Sequence, residues 1–196
     1  MVEKEVQQFI EYLKHNGYSF SDSELAVLKK EARVHNYKKR EVVFSQAVVA
    51  GHIGIVIDGV LASEFINNDE SSISRFFCEG DLCANLESAF QSEYAFDTLF
   101  AITQAKVLTL PFKRFEQMYL GSENFGLYLR KQLLLNTLTT KKIVSIKSQS
   151  AAQAKQEILE KDLPWVLERV PQKYIASFLG LTPQGYSRFL RGKSSK

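Results

Sequence analysis

The segment Gln172–Arg191, QKYIASFLGLTPQGYSRFLR, constrains the fold more than any other stretch of the chain. Its first half places Ile175, Ala176 and Leu179 on one helical face. Gly180 follows where that helix must stop, because glycine takes a positive φ at least cost. Thr182 and Pro183 then form an N-cap and first-turn pair that restarts a helix at once. In the second helix Tyr186, Phe189 and Leu190 lie on one side, and Gln184, Ser187, Arg188 and Arg191 share the other at i, i+3, i+4 and i+7. Two short helices at a sharp angle, the second with a polar, basic outer face, describe a helix-turn-helix.

Upstream, the texture changes twice. Val2, Val6, Phe9, Ile10 and Leu13 mark an N-terminal helix that Gly17 stops. A second helix starts at a capping box of Ser21 and Glu24, with Phe20 against Leu25 as its hydrophobic staple, and ends near Ala32. From Arg33 to Pro111 short β-branched or alternating runs recur: Val42–Phe44, Ile53–Ile57, Val60–Phe65, Ile73–Phe77, Thr98–Ile102 and Val107–Leu110. Asp58-Gly59, Asn67-Asn68-Asp69 and Glu79-Gly80-Asp81 supply turns between them. Many short strands at this spacing predict an antiparallel roll, barrel or sandwich, with one short helix inside Leu82–Phe90. Pro111 opens helical texture through Phe112, Phe115 and Tyr119.

A long helix is expected from Asn124 to Lys147. Leu129, Gln132, Asn136, Thr139, Ile143 and Ile146 repeat along it as a seam with polar members, and an asparagine at such a position fixes register and pairing. The seam either pairs two chains or packs on the chain's own β-domain; the extra apolar surface of Leu133, Leu134 and Leu135 favours pairing. After a joint at Ser148–Ala152, a helix runs from Ala151 to Lys161, Pro164 breaks it, and Pro171 opens the next. The fold class expected is α+β: an N-terminal antiparallel β-roll with flanking helices (1–120), a long dimerisation helix and hinge (121–150), and a C-terminal helix-turn-helix domain (151–196).

Charge divides the 196 residues in the same place. Residues 1–120 hold 12 Lys/Arg against 17 Asp/Glu, whereas residues 121–196 hold 13 against 5. A basic C-terminal third on an acidic body suggests a polyanion partner, nucleic acid first and anionic lipid second. No run approaches a membrane span and the start has no signal-peptide core, so a cytoplasmic protein without a membrane partner is expected. Cys78 and Cys83 cannot supply a four-thiolate site; they are read as buried thiols or, less favourably, a redox pair. His15, His35 and His52 show no metal-ligand spacing, and no phosphate loop or nucleophile elbow is visible. Neither an enzyme nor a cofactor is expected.

The run RVPQKYIASFLGLTP at Arg169–Pro183 resembles the corresponding segment of Crp/Fnr-type bacterial transcription regulators. The order β-roll, long helix, helix-turn-helix is similar to theirs, so the resemblance covers nearly the whole chain. It implies a cyclic-nucleotide-binding-like roll and a homodimer paired through the long helix. It also implies a recognition helix at about 182–191 that binds paired half-sites on double-stranded DNA. By position in that motif, Thr182, Pro183, Gln184, Ser187 and Arg188 face the major groove. Arg188 suits guanine O6 and N7, and Gln184 suits adenine N6 and N7. Thr182, Ser187, Lys173 and Arg191 suit phosphates. The competing use of Arg188 is a salt bridge to its own fold. Pro183 carries no reading side chain and Gly185 costs helix stability, so DNA shape is expected to share in specificity. The five residues after Arg191 leave no room for a β-wing. RNA polymerase and an unknown small-molecule effector are further partners the resemblance allows.

A cyclic nucleotide fits poorly. Members of the family that bind one carry a Gly-Glu pair for the ribose and an Arg-Ser or Arg-Thr pair for the phosphate. The corresponding stretch here, Asp81–Thr103, has no Lys or Arg and four carboxylates, Asp81, Glu87, Glu93 and Asp97. Phe76, Phe77, Phe90, Tyr94, Phe96 and Phe100 serve core packing or an apolar pocket, with packing the expected use. A β-roll module acting through a protein partner is the alternative function, and a redox or metal sensor a third.

Overall fold

The computed structural model describes residues 2–15, 17–67 and 70–194, with side chains described in those ranges except at 2–5, 67, 70, 193 and 194. Val2 of the first helical face, and Asn68-Asp69 of the expected turn, therefore lie outside the described side chains. Two helices open the chain, α1 (Val2–His15) and α2 (Asp22–Glu31). Eight strands follow: β1 (Arg33–Tyr37), β2 (Val42–Phe44), β3 (His52–Asp58), β4 (Leu61–Asn67), β5 (Glu70–Phe77), β6 (Leu82–Cys83), β7 (Thr98–Ala101) and β8 (Ala105–Pro111). Helix α3 (Leu86–Gln91) interrupts them. Helices α4 (Phe112–Gly121), α5 (Asn124–Lys147), α6 (Ala152–Asp162), α7 (Pro164–Arg169), α8 (Gln172–Leu179) and α9 (Pro183–Ser194) complete the described chain.

The strands form two antiparallel four-stranded sheets in the orders β1-β8-β3-β6 and β2-β7-β4-β5, the expected roll. Val56, Leu61, Leu99, Ala101 and Val107 fill the space between them. At the β3–β4 turn Gly59 has φ +92°, and a Cβ there would stand 2.4 Å from the Gln104 carbonyl oxygen, so only glycine lets the two chains approach. Strand β1 is absent from the sequence reading because Val34 is its one buried residue; it is held at the sheet edge by pairing with β8. The break expected at Pro164 is the first position of an extra short helix, α7, where a missing N–H costs nothing.

The capping box of Ser21 and Glu24 is present. Glu24 does more than cap. Its carboxylate also accepts from Ser122 Oγ and from the Phe125 backbone N–H at 3.0 Å, tying α2 to the α4–α5 junction. Burial pushes its pKa up, but the bonds from Ser122, Phe125 and Ser21 outweigh it and hold the carboxyl down at about 2. A depressed carboxylate pKa gives stability that is complete above the unfolded value and lost as pH falls through the folded one. Urea unfolding midpoints are therefore expected to drop as pH falls from about 4.5 to about 2, and Glu24→Gln to flatten that dependence.

Apolar side chains of the second sheet and its turns, Val60, Ala62, Ile73, Phe76, Phe100 and Ile102, share one core with the C-terminal helices. Phe76 meets Phe178 with ring centroids 5.2 Å apart, and Phe100 meets Tyr174 at 5.7 Å. Polar bonds fix the docking: the Ile73 N–H donates to Ser177 Oγ at 3.1 Å and Lys147 Nζ to the Ile73 carbonyl at 2.9 Å. Arg169 pairs with Glu79 through two bonds of 2.5 and 2.6 Å. The last four helices are thus seated on the outer face of β5 and its neighbours.

The long helix corrects one expectation. Leu129, Ile143 and Ile146 are buried inside the chain, and Asn136 bonds the chain's own Arg75 and Leu82 carbonyl. The expected seam is therefore the helix face that packs on its own protein. The opposite face is apolar too: Leu127, Leu134 and Leu138 are 58%, 59% and 45% exposed and recur at seven- and four-residue steps, flanked by Leu135 and Val144. Of the six aromatics, Phe76, Phe77 and Phe100 are core, but Phe90, Tyr94 and Phe96 point outward, so packing accounts for only half of them.

Candidate nucleic-acid interface

Helices α8 and α9 are built as their residues dictate. Ile175, Ala176, Phe178, Leu179 and Tyr186 are buried, and Leu181, Phe189 and Leu190 pack partly against them. Gly180 caps α8 in the left-handed region at φ +71°. Lys155 Nζ donates to the Leu179 carbonyl at 2.6 Å, a cation at the negative end of that helix. Thr182 caps α9: the Gly185 N–H donates to its Oγ1 at 3.0 Å and the Tyr186 N–H to its carbonyl at 2.9 Å. A Cβ on residue 185 would stand 3.0 Å from that Oγ1, so glycine leaves the cap undisturbed. Buried Tyr186 donates its hydroxyl to Gln156 Oε1 at 2.9 Å, and Gln156 is 2% exposed. Tyr186→Phe strips that acceptor of its donor and is expected to cost about 1–3 kcal/mol in urea unfolding, with α9 retained in far-ultraviolet circular dichroism.

Thr182, Pro183, Gln184, Arg188 and Arg191 are exposed along one edge of α9, with Ser187 half-buried among them. Arg188 forms no ion pair with any described residue, so its competing use as a structural salt bridge is not seen. Arg191 leans back on its own helix, its Nε 3.5 Å from the Ser187 carbonyl. Lys173 is exposed in the first turn of α8, its ammonium 4.5 Å from the Tyr174 ring. No acidic residue stands in the first turn of either helix, so neither helix offsets the positive end of its dipole with a carboxylate of its own. The seven candidate residues occupy two adjoining helices with neutral or positive side chains.

A cavity of about 340 Å³ lies between the inner face of the second sheet, α3 and α5. Its charged lining residues are Arg75, Glu87 and Asp97. Arg75 is committed to the long helix: Nη2 donates to Asn136 Oδ1 at 2.6 Å, Nη1 lies 3.4 Å from Thr140 Oγ1, and the guanidinium sits 4.8 Å from the Phe77 ring centroid. Asp97 accepts from Ser63, and Ser74 donates to Ser63 at 2.8 Å. Burial first, and the Glu87 charge second, raise the Asp97 carboxyl to about 6. A phosphate here would meet two carboxylates, and Arg75 has only its buried Nε left to offer, its other nitrogens being bonded to α5, so the cavity fits a cyclic nucleotide poorly. The sequence reading missed Arg75, although it is the one Lys or Arg between Arg40 and Lys106.

The remaining candidates are quiet. Cys78 and Cys83 are free thiols; burial pushes Cys78 up to about 12 and Cys83 further, which disfavours the reactive thiolate. Among the described residues no group of three His, Cys, Asp or Glu could hold a metal, and no helix is long and apolar enough to cross a membrane.

An antiparallel roll, a long helix and a docked helix-turn-helix make up the fold, and solved transcription regulators share it. Residues 34–122 match the cyclic nucleotide-binding domain family. The c-di-GMP responsive global regulator CLP of Xanthomonas campestris shares the fold at 18% identity and TM-score 0.69, over 84% of this chain and 87% of that one. FixK2 of Bradyrhizobium japonicum does so at 18% and 0.64, over 84% and 85%. A CRP-family transcriptional regulator of Thermus thermophilus does so at 14% and 0.65, over 81% and 83%. No curated protein matches the sequence.

Proposed function

We propose that the protein is a homodimeric, sequence-specific DNA-binding transcription regulator that does not depend on a cyclic nucleotide. Residues 1–120 act as scaffold or sensor, 121–150 as pairing helix and hinge, and 151–196 as reading head. The observation that carries this reading is the exposed edge of Gln184 and Arg188, with no ion pair at Arg188 among the described residues, on a helix whose other side is locked into the core. Arg188 and Gln184 read bases, Lys173, Thr182, Ser187 and Arg191 hold phosphates, and Pro183 sets the first turn at the groove. The exposed stripe Leu127–Leu134–Leu138 pairs two chains, so that two such edges meet one duplex.

Binding to labelled DNA at two salt concentrations tests it. A head that neutralises about four phosphates loses about 100-fold in affinity when salt rises about fourfold. A roll that works through a protein partner shows no DNA affinity to lose.

A further inference from the structure

A second cavity, of about 170 Å³, lies where α1, the turn between β5 and β6, and α5 meet, and it shares no lining residue with the cavity beside α3. Its buried lining residue is Tyr128 of α5, 1% exposed. That ring is held edge-on by Tyr18 at 5.1 Å and packs against Phe125 at 5.7 Å. The hydroxyl at its tip is buried and bonds nothing among the described residues. Burial first, and then the neighbouring Tyr12 and Tyr18, raise its pKa, so it stays a protonated O–H donor. Both neighbours are walls of the same cavity, which directs the hydroxyl into it. A buried O–H without an acceptor is costly, and native proteins rarely leave one so.

The other polar groups of the lining ask for the same kind of partner. Lys131 is exposed at the mouth, its ammonium 5.5 Å from the centroid of the Tyr18 ring, and forms no ion pair with a described residue. Half-buried Gln132, the next residue of α5, adds an amide. No Asp or Glu lines the cavity. Asp81, beside the lining residue Gly80, spends its carboxylate on the Cys78 N–H at 2.9 Å. A cation, an unmatched O–H and an amide with no carboxylate among them call for an acceptor that carries negative charge. Much of the remaining wall is ring, and aromatic walls favour a flat aromatic guest, offset or edge-on. The volume is below the about 300–1,000 Å³ of drug-sized sites, so it admits one ring.

We propose that this cavity binds a single-ring aromatic monocarboxylate, its carboxylate on the Tyr128 hydroxyl and the Lys131 ammonium and its ring against Tyr12 and Tyr18. One occupant then joins the N-terminal helix, the roll and the long helix. Lys131 and Leu135 border the exposed stripe Leu127–Leu134–Leu138, so the guest sits beside the face that the regulator reading uses for pairing. The site itself depends on neither pairing nor DNA binding.

Calorimetric titration of the 196-residue chain with benzoate tests the proposal, with cyclohexanecarboxylate, benzylamine and inorganic phosphate as comparisons. Expected is saturable binding of one benzoate per chain, weaker binding of the non-aromatic acid, and none of the amine or of phosphate. Tyr128→Phe removes only the unmatched hydroxyl. It should lower benzoate affinity about tenfold, yet leave the melting temperature of the free protein unchanged or higher, because no bond is lost. Lys131→Gln, an exposed change, should lower affinity about tenfold as well and weaken its dependence on salt. Absence of benzoate binding, or equal binding of any comparison compound, overturns the proposal. So does an affinity unchanged in either variant, or a lower melting temperature in Tyr128→Phe, which would mean that the hydroxyl already has a partner. Neither residue belongs to the reading head, so failure here leaves the regulator reading standing and loss of DNA binding leaves the site.

Discussion

Replacing Leu134 and Leu138 together by glutamate is expected to turn the proposed dimer into a folded monomer and to lower affinity for a two-fold-symmetric DNA site by about 100-fold or more. The two leucines lie at the centre of the exposed stripe on α5 and outside the buried core, so their loss leaves that core intact. Four carboxylates brought face to face across a paired helix repel, and the apolar area that held the pair is gone. Each reading head survives, but it binds alone, without the effective concentration that a tethered second head supplies. Sedimentation and DNA titration of the variant check both halves. Leu129→Glu is the contrasting substitution: Leu129 is fully buried in the chain's own core, so it should unfold the protein rather than split it.

Arg188→Ala is expected to weaken binding to the preferred DNA site by about 1–3 kcal/mol, roughly 5- to 150-fold, and to leave binding to random DNA nearly unchanged. The side chain is exposed and carries no ion pair with a described residue, so its removal leaves the fold and melting temperature intact. Lys173→Ala makes the complementary case. As a phosphate contact it should lower affinity on both DNAs alike and reduce the salt slope by about one. Equal losses on both DNAs for Arg188→Ala would make it a phosphate contact instead.

The helix-turn-helix was legible because its determinants are local. The N-cap at Thr182, the positive-φ stop at Gly180 and the apolar period of Ile175, Ala176 and Leu179 each lie within one turn of what they control. Most strands were legible by alternation and turn signals, whereas β1, with a single inward residue, gave no pattern to read. The seam of α5 packs on the chain's own roll, and the sequence left that open for a definite reason. The helix is apolar on two sides, and periodicity alone does not say which side meets the chain's own roll. Only the fold shows Asn136 bonded to Arg75 and Leu82 across 61 and 54 residues. The acidity of Asp81–Thr103 is plain from composition, but the convergence of Asp97, Glu87, Arg75 and Thr140 on one cavity depends on which strand faces which helix. The docking of the head on β5, through Phe76 with Phe178 and Glu79 with Arg169, was likewise unreadable, since neither pair has a local signature.

Selection of bound duplexes from a random DNA library by the 196-residue chain tests the central claim most directly. Two reading heads related by a two-fold axis predict enrichment of an inverted repeat, its half-site centres about 10–11 base pairs apart or a multiple of that. Recovery of unenriched sequence, or of one unpaired motif with no symmetric mate, would contradict the account.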